Sequence, residues 1–337
     1  MASRFVRFLV LRLALIPPTV LILLTFVFVL TRLLPGNPAT ALAGGRDVPE
    51  ASILAIEKKY GLNLPLSTQY VNYLQMVLTG NWGLLITGDK TVQSTIWGAL
   101  PNTVELTVAG IFLGALMGIG LGVLSSQRRS KKLAAMGYVL TQVGISLPVF
   151  WVALLLQLFF GIFLRALPVT GLIGSHIPRT ITGIYPLDAL ITGNLPALQD
   201  SIVHLILPAF SIAFIYLGPT AALIRANFRK VSSEDYIIAQ KATGLPQSRI
   251  DYVYTLKNTM LPVVTLIGLQ FAGLITGAVL VESVFSIHGL GSLLLTAVTE
   301  RDYYLIQGTM VYIGLIVAVT SVVADIIYAV LDPRVKY

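Results

Sequence analysis

The sequence predicts an all-α, polytopic membrane protein with six transmembrane helices, an external scaffold region after the first helix, and cytoplasmic N- and C-termini. Three observations carry this. Of 337 residues, 55% are hydrophobic and only 11% are charged, against roughly 25% charged in a soluble domain, and the mean hydropathy is +0.83. That polar surface is too small to cover a globule in water, so the surplus apolar surface faces lipid. The apolar residues gather in runs close to the roughly 20 residues that cross a hydrocarbon core. Lysine and arginine are distributed unevenly between those runs.

In order, the runs are Leu13–Thr31, Val104–Leu124, Met136–Leu164, Ile202–Ile224, Met260–Val281 and Ile306–Val330. Pro17, Pro18, Pro148, Pro208 and Pro219 fall in or beside them; membrane helices tolerate such breaks when neighbours satisfy the freed carbonyls. The first run follows Arg4, Arg7 and Arg12 and precedes Ala41-Leu42-Ala43, an order that imitates a signal peptide. Its 19-residue apolar core exceeds the roughly 7–15 residues of a signal h-region, and Arg32 and two prolines separate it from the small residues. It is expected to remain as an uncleaved first span.

Orientation follows from basic residues in the segments flanking the spans. With the N-terminus inside, the inner segments hold Arg4, Arg7, Arg12, Arg128, Arg129, Lys131, Lys132, Arg225, Arg229, Lys230, Lys241, Arg249, Lys257, Arg334 and Lys336, 15 of the 23 basic residues. The outer ones hold Arg32, Arg46, Lys58, Lys59, Lys90, Arg165, Arg179 and Arg301, over far more chain. The net charge of +8 is therefore topogenic, and no nucleic-acid partner is expected; the partner of this surface is membrane lipid.

Between the first two spans, Pro35 to Pro101 is too long and too patterned for a loose loop. Tyr70, Tyr73, Leu74, Val77 and Leu78 recur at helical spacing and predict an amphipathic helix. Gly80-Asn81-Trp82-Gly83 then turns the chain, and Thr91–Leu100, with Val92, Ile96 and Trp97, reads as interfacial. Two readings stay open for this region: an external docking or scaffold surface, and a structural cap over the bundle.

The inner loop from Arg225 to Asn258 carries the sharpest local signals. Ser233 is placed to cap a short helix with Glu234 and Asp235 in its first turn. Lys241 suits the last turn, Gly244 the left-handed terminator, and Pro246 stops continuation. A second stretch, Arg249 to Lys257, reads as another short helix. Ala239 and Ala242 leave the first helix smooth enough for close approach to another protein. In the second span Gly110, Gly114, Gly118 and Gly122 recur every four residues, a spacing that lets helix backbones pack closely in lipid. Glu105, Glu282 and Asp325 sit at or near span ends, where acids either do functional work or reach headgroup water.

Several chemistries are absent. No cysteine exists for a disulfide, thiolate metal site or nucleophile, and His176, His204 and His288 lack metal-ligand spacing. No Gly-x-Ser-x-Gly or His-Glu-x-x-His occurs, so no catalytic, cofactor-binding or metal residue is assigned. Gly83 to Thr91 imitates a phosphate loop, but Asp89 stands before Lys90 and would repel phosphate. The chain carries no engine of its own and is not expected to be an enzyme.

Further motifs follow in a fixed order: Leu34-Pro35-Gly36-Asn37-Pro38, Tyr60-Gly61-Leu62-Asn63, Gly80-Asn81-Trp82-Gly83, Leu100-Pro101-Asn102-Thr103 and Ser146-Leu147-Pro148-Val149-Phe150. Then come Glu234-Asp235-Tyr236-Ile237 to Gly244-Leu245, Leu256-Lys257-Asn258, Leu261-Pro262-Val263-Val264-Thr265, Glu282-Ser283-Val284-Phe285, Gly289-Leu290-Gly291, Arg301-Asp302-Tyr303 and Leu331-Asp332-Pro333-Arg334. Over some 320 residues this order resembles the inner-membrane permeases of dipeptide/oligopeptide-type ABC importers, specifically the first of the two permease subunits. The resemblance divides the chain into residues 1–100, a first span plus external scaffold, and 101–337, the permease domain with its coupling loop at 225–258.

The resemblance also implies a site. Glu234, Asp235, Tyr236, Ala239, Ala242, Gly244 and Leu245 fall on the family's cytoplasmic loop, whose short helix docks in a groove of the ATPase subunit. It implies a homologous second permease, two ATP-binding subunits holding ATP and Mg, and an external solute-binding protein, in the cytoplasmic membrane of a prokaryote. The solute would be a di- or oligopeptide, with oligosaccharides, glutathione or nickel as alternatives; an ion-coupled secondary transporter is a more distant one. Asn37, Asn81, Gln240, Thr243 and His288 depart from the residues usual in the family, and Gln240 and Thr243 imply a correspondingly tailored ATPase partner.

Overall fold

A computed structural model describes residues 2–33, 39–40, 49–59, 61–85, 90–126, 131–272 and 274–331. Among the motifs above, 34–38, 41–43, Tyr60, Arg128, Arg129 and 332–337 lie outside the described residues, as do 86–89 of the phosphate-loop imitation and the side chain of Asp325. The long helices are α1 (Ala2–Leu33), α4 (Val92–Ser126), α8 (Leu195–Val231) and α13 (Tyr303–Leu331). Between them stand α2 (Glu50–Lys59), α3 (Leu66–Thr79), α5 (Lys131–Ser146), α6 (Val149–Leu156), α7 (Tyr185–Ile191), α9 (Asp235–Ala242), α10 (Leu256–Ala272), α11 (Leu274–Val284) and α12 (Leu290–Glu300).

The six apolar runs do not become six straight spans. Among the described residues four helices are long and apolar enough to cross a membrane, and a fifth if α5 and α6 count as one span bent by 109°. The bend falls at Leu147-Pro148, where proline lacks the N–H that a continuing helix needs and disfavours helical geometry in the residue before it. Beyond α6 the chain widens into a π-helical turn at Gln157–Phe163. The run at Met260–Val281 falls on α10 and α11, on either side of Gly273, which lies outside the described residues. Pro208 and Pro219, by contrast, sit inside an unbroken α8.

The α4–α8 pair is the spine of the bundle. Gly110, Gly114, Gly118 and Gly122 meet Ile212, Ala213, Thr220 and Ile224 in that order, so the two helices run parallel. Parallel neighbours require the chain between them to return to the starting end, and α5 with α6 is the segment available to do so. α1 and α13 run antiparallel: Gln307 donates to Thr31 Oγ1 at 2.9 Å while Gly314 packs on Leu23. Residues 2 and 331 therefore lie at the same end. Val263 clusters with Val123, Ile224 and Phe228 at one end of the spine. Ala278, Val281 and Phe285 cluster with Leu106 and Leu207 at the other, so α10 and α11 together traverse it.

A cap covers one end. The amphipathic helix expected around Tyr70 is α3, laid against α1: Tyr70 Oη is 2.6 Å from Thr25 Oγ1. Arg32 donates to Gln69 Oε1 through Nε at 3.0 Å and Nη2 at 2.9 Å. Gly80, at φ 69°, closes α3 in the left-handed conformation that glycine adopts without a Cβ penalty. Val92–Leu100 is the first part of α4, where Val92 and Ile96 are fully buried with Trp82, Leu290 and Leu305, while Gln93, Ser94, Trp97 and Gly98 are exposed.

Candidate functional site

At the opposite end, α8 ends at Val231 and α10 begins at Leu256, and the chain between them folds back on itself. Helix α9 opens at Glu234, whose extended backbone (φ −69°, ψ 147°) is that of an N-cap. Its carbonyl accepts from the N–H groups of Ile237 and Ile238 at 2.9 and 3.1 Å. Ser233 is not the cap. Its hydroxyl donates back to Lys230 O at 2.7 Å, because α8 extends further than its apolar run and captures the side chain. Asp235 stands in the first turn and Lys241 in the last, matching the helix dipole. Gly244 has φ 76°, the left-handed stop expected of it.

One side chain anchors this helix: Ile237 is fully buried, and so is Ile250 in the π-helical stretch Ile250–Thr255 beneath it. The stretch Arg249 to Lys257 is thus not a separate short helix; it runs without a break into α10. Gln247 Nε2 donates to the buried Asp251 Oδ1 at 2.7 Å, fixing the base on which α9 rests. The rest of α9 faces away from the chain. Glu234, Asp235, Tyr236, Ile238, Ala239, Lys241, Ala242 and Gly244 are exposed and Leu245 is half-buried. Tyr236 and Ile238 on α9 and Val253 in the stretch beneath it are large apolar side chains left exposed, at 43%, 53% and 51%.

Sequence reasoning missed Ile237, Ile250 and Asp251, which hold the helix in place; in the run Tyr236-Ile237-Ile238 nothing local marks which of the three is the buried one. At the capped end the acids are buried rather than solvated by headgroup water. Glu105 Oε2 accepts the Tyr185 N–H at 3.0 Å, and Glu282 is fully buried. The Tyr185 N–H is presented by a loop tied to Asp188. Burial pushes the Asp188 carboxyl up, but the Thr182 hydroxyl and the N–H groups of Thr182, Ile181 and Gly183 outweigh it and hold the group below the usual carboxylate range. This tether contributes stability above the ordinary aspartate value near pH 4 and loses it as pH falls through the lowered one. Asp200 bridges Gly174 N–H and the His204 ring at 3.2 and 2.9 Å, and among the described residues no group of three ligands could hold a metal.

Comparison with known proteins matches residues 110–337 to the family described as the binding-protein-dependent transport system inner membrane component. Residues 5–107 match its N-terminal membrane component. The chain is similar to the dipeptide transport system permease protein DppB of Alkalihalophilus pseudofirmus, 33% identical over 97% of this chain and 98% of that protein. It is 35% identical, over 91% of each chain, to the probable D,D-dipeptide transport system permease protein DdpB of Escherichia coli. It is 32% identical, over 95% of each, to the glutathione transport system permease protein GsiC of Salmonella typhimurium. A match over both segments, with relatives aligned nearly end to end, leaves one conclusion: the chain belongs to the family of binding-protein-dependent transport system inner membrane components.

Proposed function

We propose that this chain is one of two permeases in an ATP-driven importer, taking di- or oligopeptides from an external binding protein and passing them into the cytoplasm. The observation that carries the coupling half of this reading is α9: a capped helix seated on one buried isoleucine, with its small and apolar residues facing outward. A chain without an ATP site needs a motor, and this face is where ATPase subunits would dock. The peptide half rests on relatives named for dipeptide transport at 33% and 35% identity.

The topology proposed is six crossings with both termini cytoplasmic, α5 with α6 forming one bent crossing and α10 with α11 one more. The antiparallel α1–α13 pair and the parallel α4–α8 pair support it, as does the basic excess at the α9 end. The cap built on α3, α12 and the start of α4 then faces outward, where a binding protein would dock. Lys90→Cys should react with an impermeant thiol reagent from outside intact cells, and Lys132→Cys only after permeabilisation; the native chain has no competing cysteine. Labelling of Lys132→Cys in intact cells would overturn the model.

Reconstituted with its second permease, two ATPase subunits and binding protein, the complex should hydrolyse ATP and accumulate labelled dipeptide. Unlabelled dipeptide should compete, whereas glutathione and oligosaccharide should not. Uptake competed by glutathione alone would refute the peptide assignment.

A further inference from the structure

The capped end holds a carboxylate that the proposed transport cycle leaves without a role. Glu282, on α11, is fully buried, and three elements converge on it. The Thr103 hydroxyl of α4 donates to its Oε1 at 2.7 Å. The Ser292 N–H, in the first turn of α12, donates to its Oε2 at 2.9 Å. Thr103 Oγ1 in turn accepts the Leu290 N–H at 2.7 Å, so one carboxylate and one hydroxyl together satisfy donors of the α12 terminus that a helix cannot satisfy itself.

The glycines on either side of Leu290 make this approach feasible. A Cβ on Gly289 would collide with the Glu282 carboxylate, and one on Gly291 would stand 2.5 Å from Val279 Cα and 2.9 Å from Glu282 Oε2. The turn that links α11 to α12 is tied down from two further directions. Asn102 Nδ2 donates to His288 O at 2.9 Å, and Gln157 Nε2 donates to Val284 O at 2.9 Å.

Position makes the cluster more than a local cap. Phe285 and Ile287 belong to the core of the spanning bundle, beside Leu106, Leu207 and Tyr216. Leu290 and Ala297, a few residues on, belong to a second core beside Trp82, Val92 and Ile96, where the cap meets Leu24 and Phe28 of α1 and Val311 of α13. Glu282 stands at the joint between the two. We propose that Glu282 is a positioning residue for transport: its carboxylate fastens the cap to the spanning bundle, and without it the bundle keeps its fold while binding protein on the cap no longer drives the cycle. This rests on the permease reading above.

The test uses the full complex in proteoliposomes, with one thiol in each half of an otherwise cysteine-free chain. Ala297→Cys reports the cap and Ser211→Cys the bundle, both fully buried positions. Glu282→Gln keeps the side chain's size but replaces one acceptor with a donor facing N–H groups; Thr103→Val removes the hydroxyl at nearly constant shape. Each is expected to raise the labelling rate of Ala297→Cys at least tenfold and leave Ser211→Cys protected. ATPase subunits should still copurify, and stimulation of hydrolysis by binding protein should fall to the basal rate.

Protection of Ala297→Cys in both variants would overturn the proposal, because the carboxylate would not be what holds the cap. Reactivity at both thiols would overturn it too, since Glu282 would then support the whole fold. Undiminished stimulation with a loosened cap would remove the link to transport. If the unmutated complex shows neither stimulation nor uptake, the permease reading fails, while the thiol result still judges the fastening.

Discussion

Ala239→Trp and Gly244→Val, each placed in the full complex, should release the ATPase subunits and abolish uptake while the chain still inserts in the membrane. Ala239 and Ala242 are exposed on the face of α9 turned away from Ile237, so an indole there meets nothing of this chain. Exposed substitutions of that kind change stability by no more than about 0.5 kcal/mol. Any large effect must come from a partner that can no longer approach. Gly244 works differently. A Cβ there has open space around it, but its φ of 76° is one that a β-branched residue does not adopt without strain. Valine would therefore redirect the chain out of α9 and shift its face. Copurification of ATPases with each variant, beside an uptake assay, decides the matter. Normal retention and normal uptake in both would remove α9 from the coupling path.

Local signals in the sequence survive folding where nothing distant competes with them. Lys241, Gly244 and Pro246 each act within one turn of the helix end, and α9 stops where they place it. Ser233 failed as a cap for a reason invisible locally: α8 extends to Val231, past the apolar run that ends at Ile224, and puts the serine within reach of Lys230 O. The stretch after Arg249 failed similarly, because α10 begins further upstream than hydropathy alone marks and absorbs it.

Non-local arrangement was legible only as a demand for some partner. Small residues every four positions in the second span called for a close neighbour without naming α8. Glu282 and Thr103 stand 179 residues apart, and no period or spacing links them; each alone reads as an ordinary residue at a span end. In the segment from Thr91 to Leu100, aromatic and β-branched residues suit both a membrane interface and a buried core. Val92 and Ile96 pack against Gly308 and Trp82 on one face, while Trp97 on the other stays exposed.

The glycine stripe on α4 yields the prediction with the cleanest internal control. Gly114 and Gly118 to alanine should destabilise the bundle, and Gly120 to alanine should not. A Cβ at Gly114 would stand 2.8 Å from both Ala213 O and Tyr216 Cβ, and one at Gly118 would stand 2.7 Å from Thr220 Cβ and 3.0 Å from Leu217 O. Backbone oxygens of α8 cannot rotate aside as a side chain can, so the helices must separate. Such overpacking costs about 1–3 kcal/mol per site, and separation also forfeits the close van der Waals contact that holds helices together in lipid. Gly120 lies two residues beyond Gly118 on the same helix but has nothing within 4 Å of its Cβ position. Alanine there removes only the conformational freedom of glycine and should be neutral, or stabilising by about 0.5–1 kcal/mol. Thermal unfolding of each variant in detergent measures the order directly. Gly114→Ala as stable as Gly120→Ala would mean that the α4–α8 contact does not hold the bundle together.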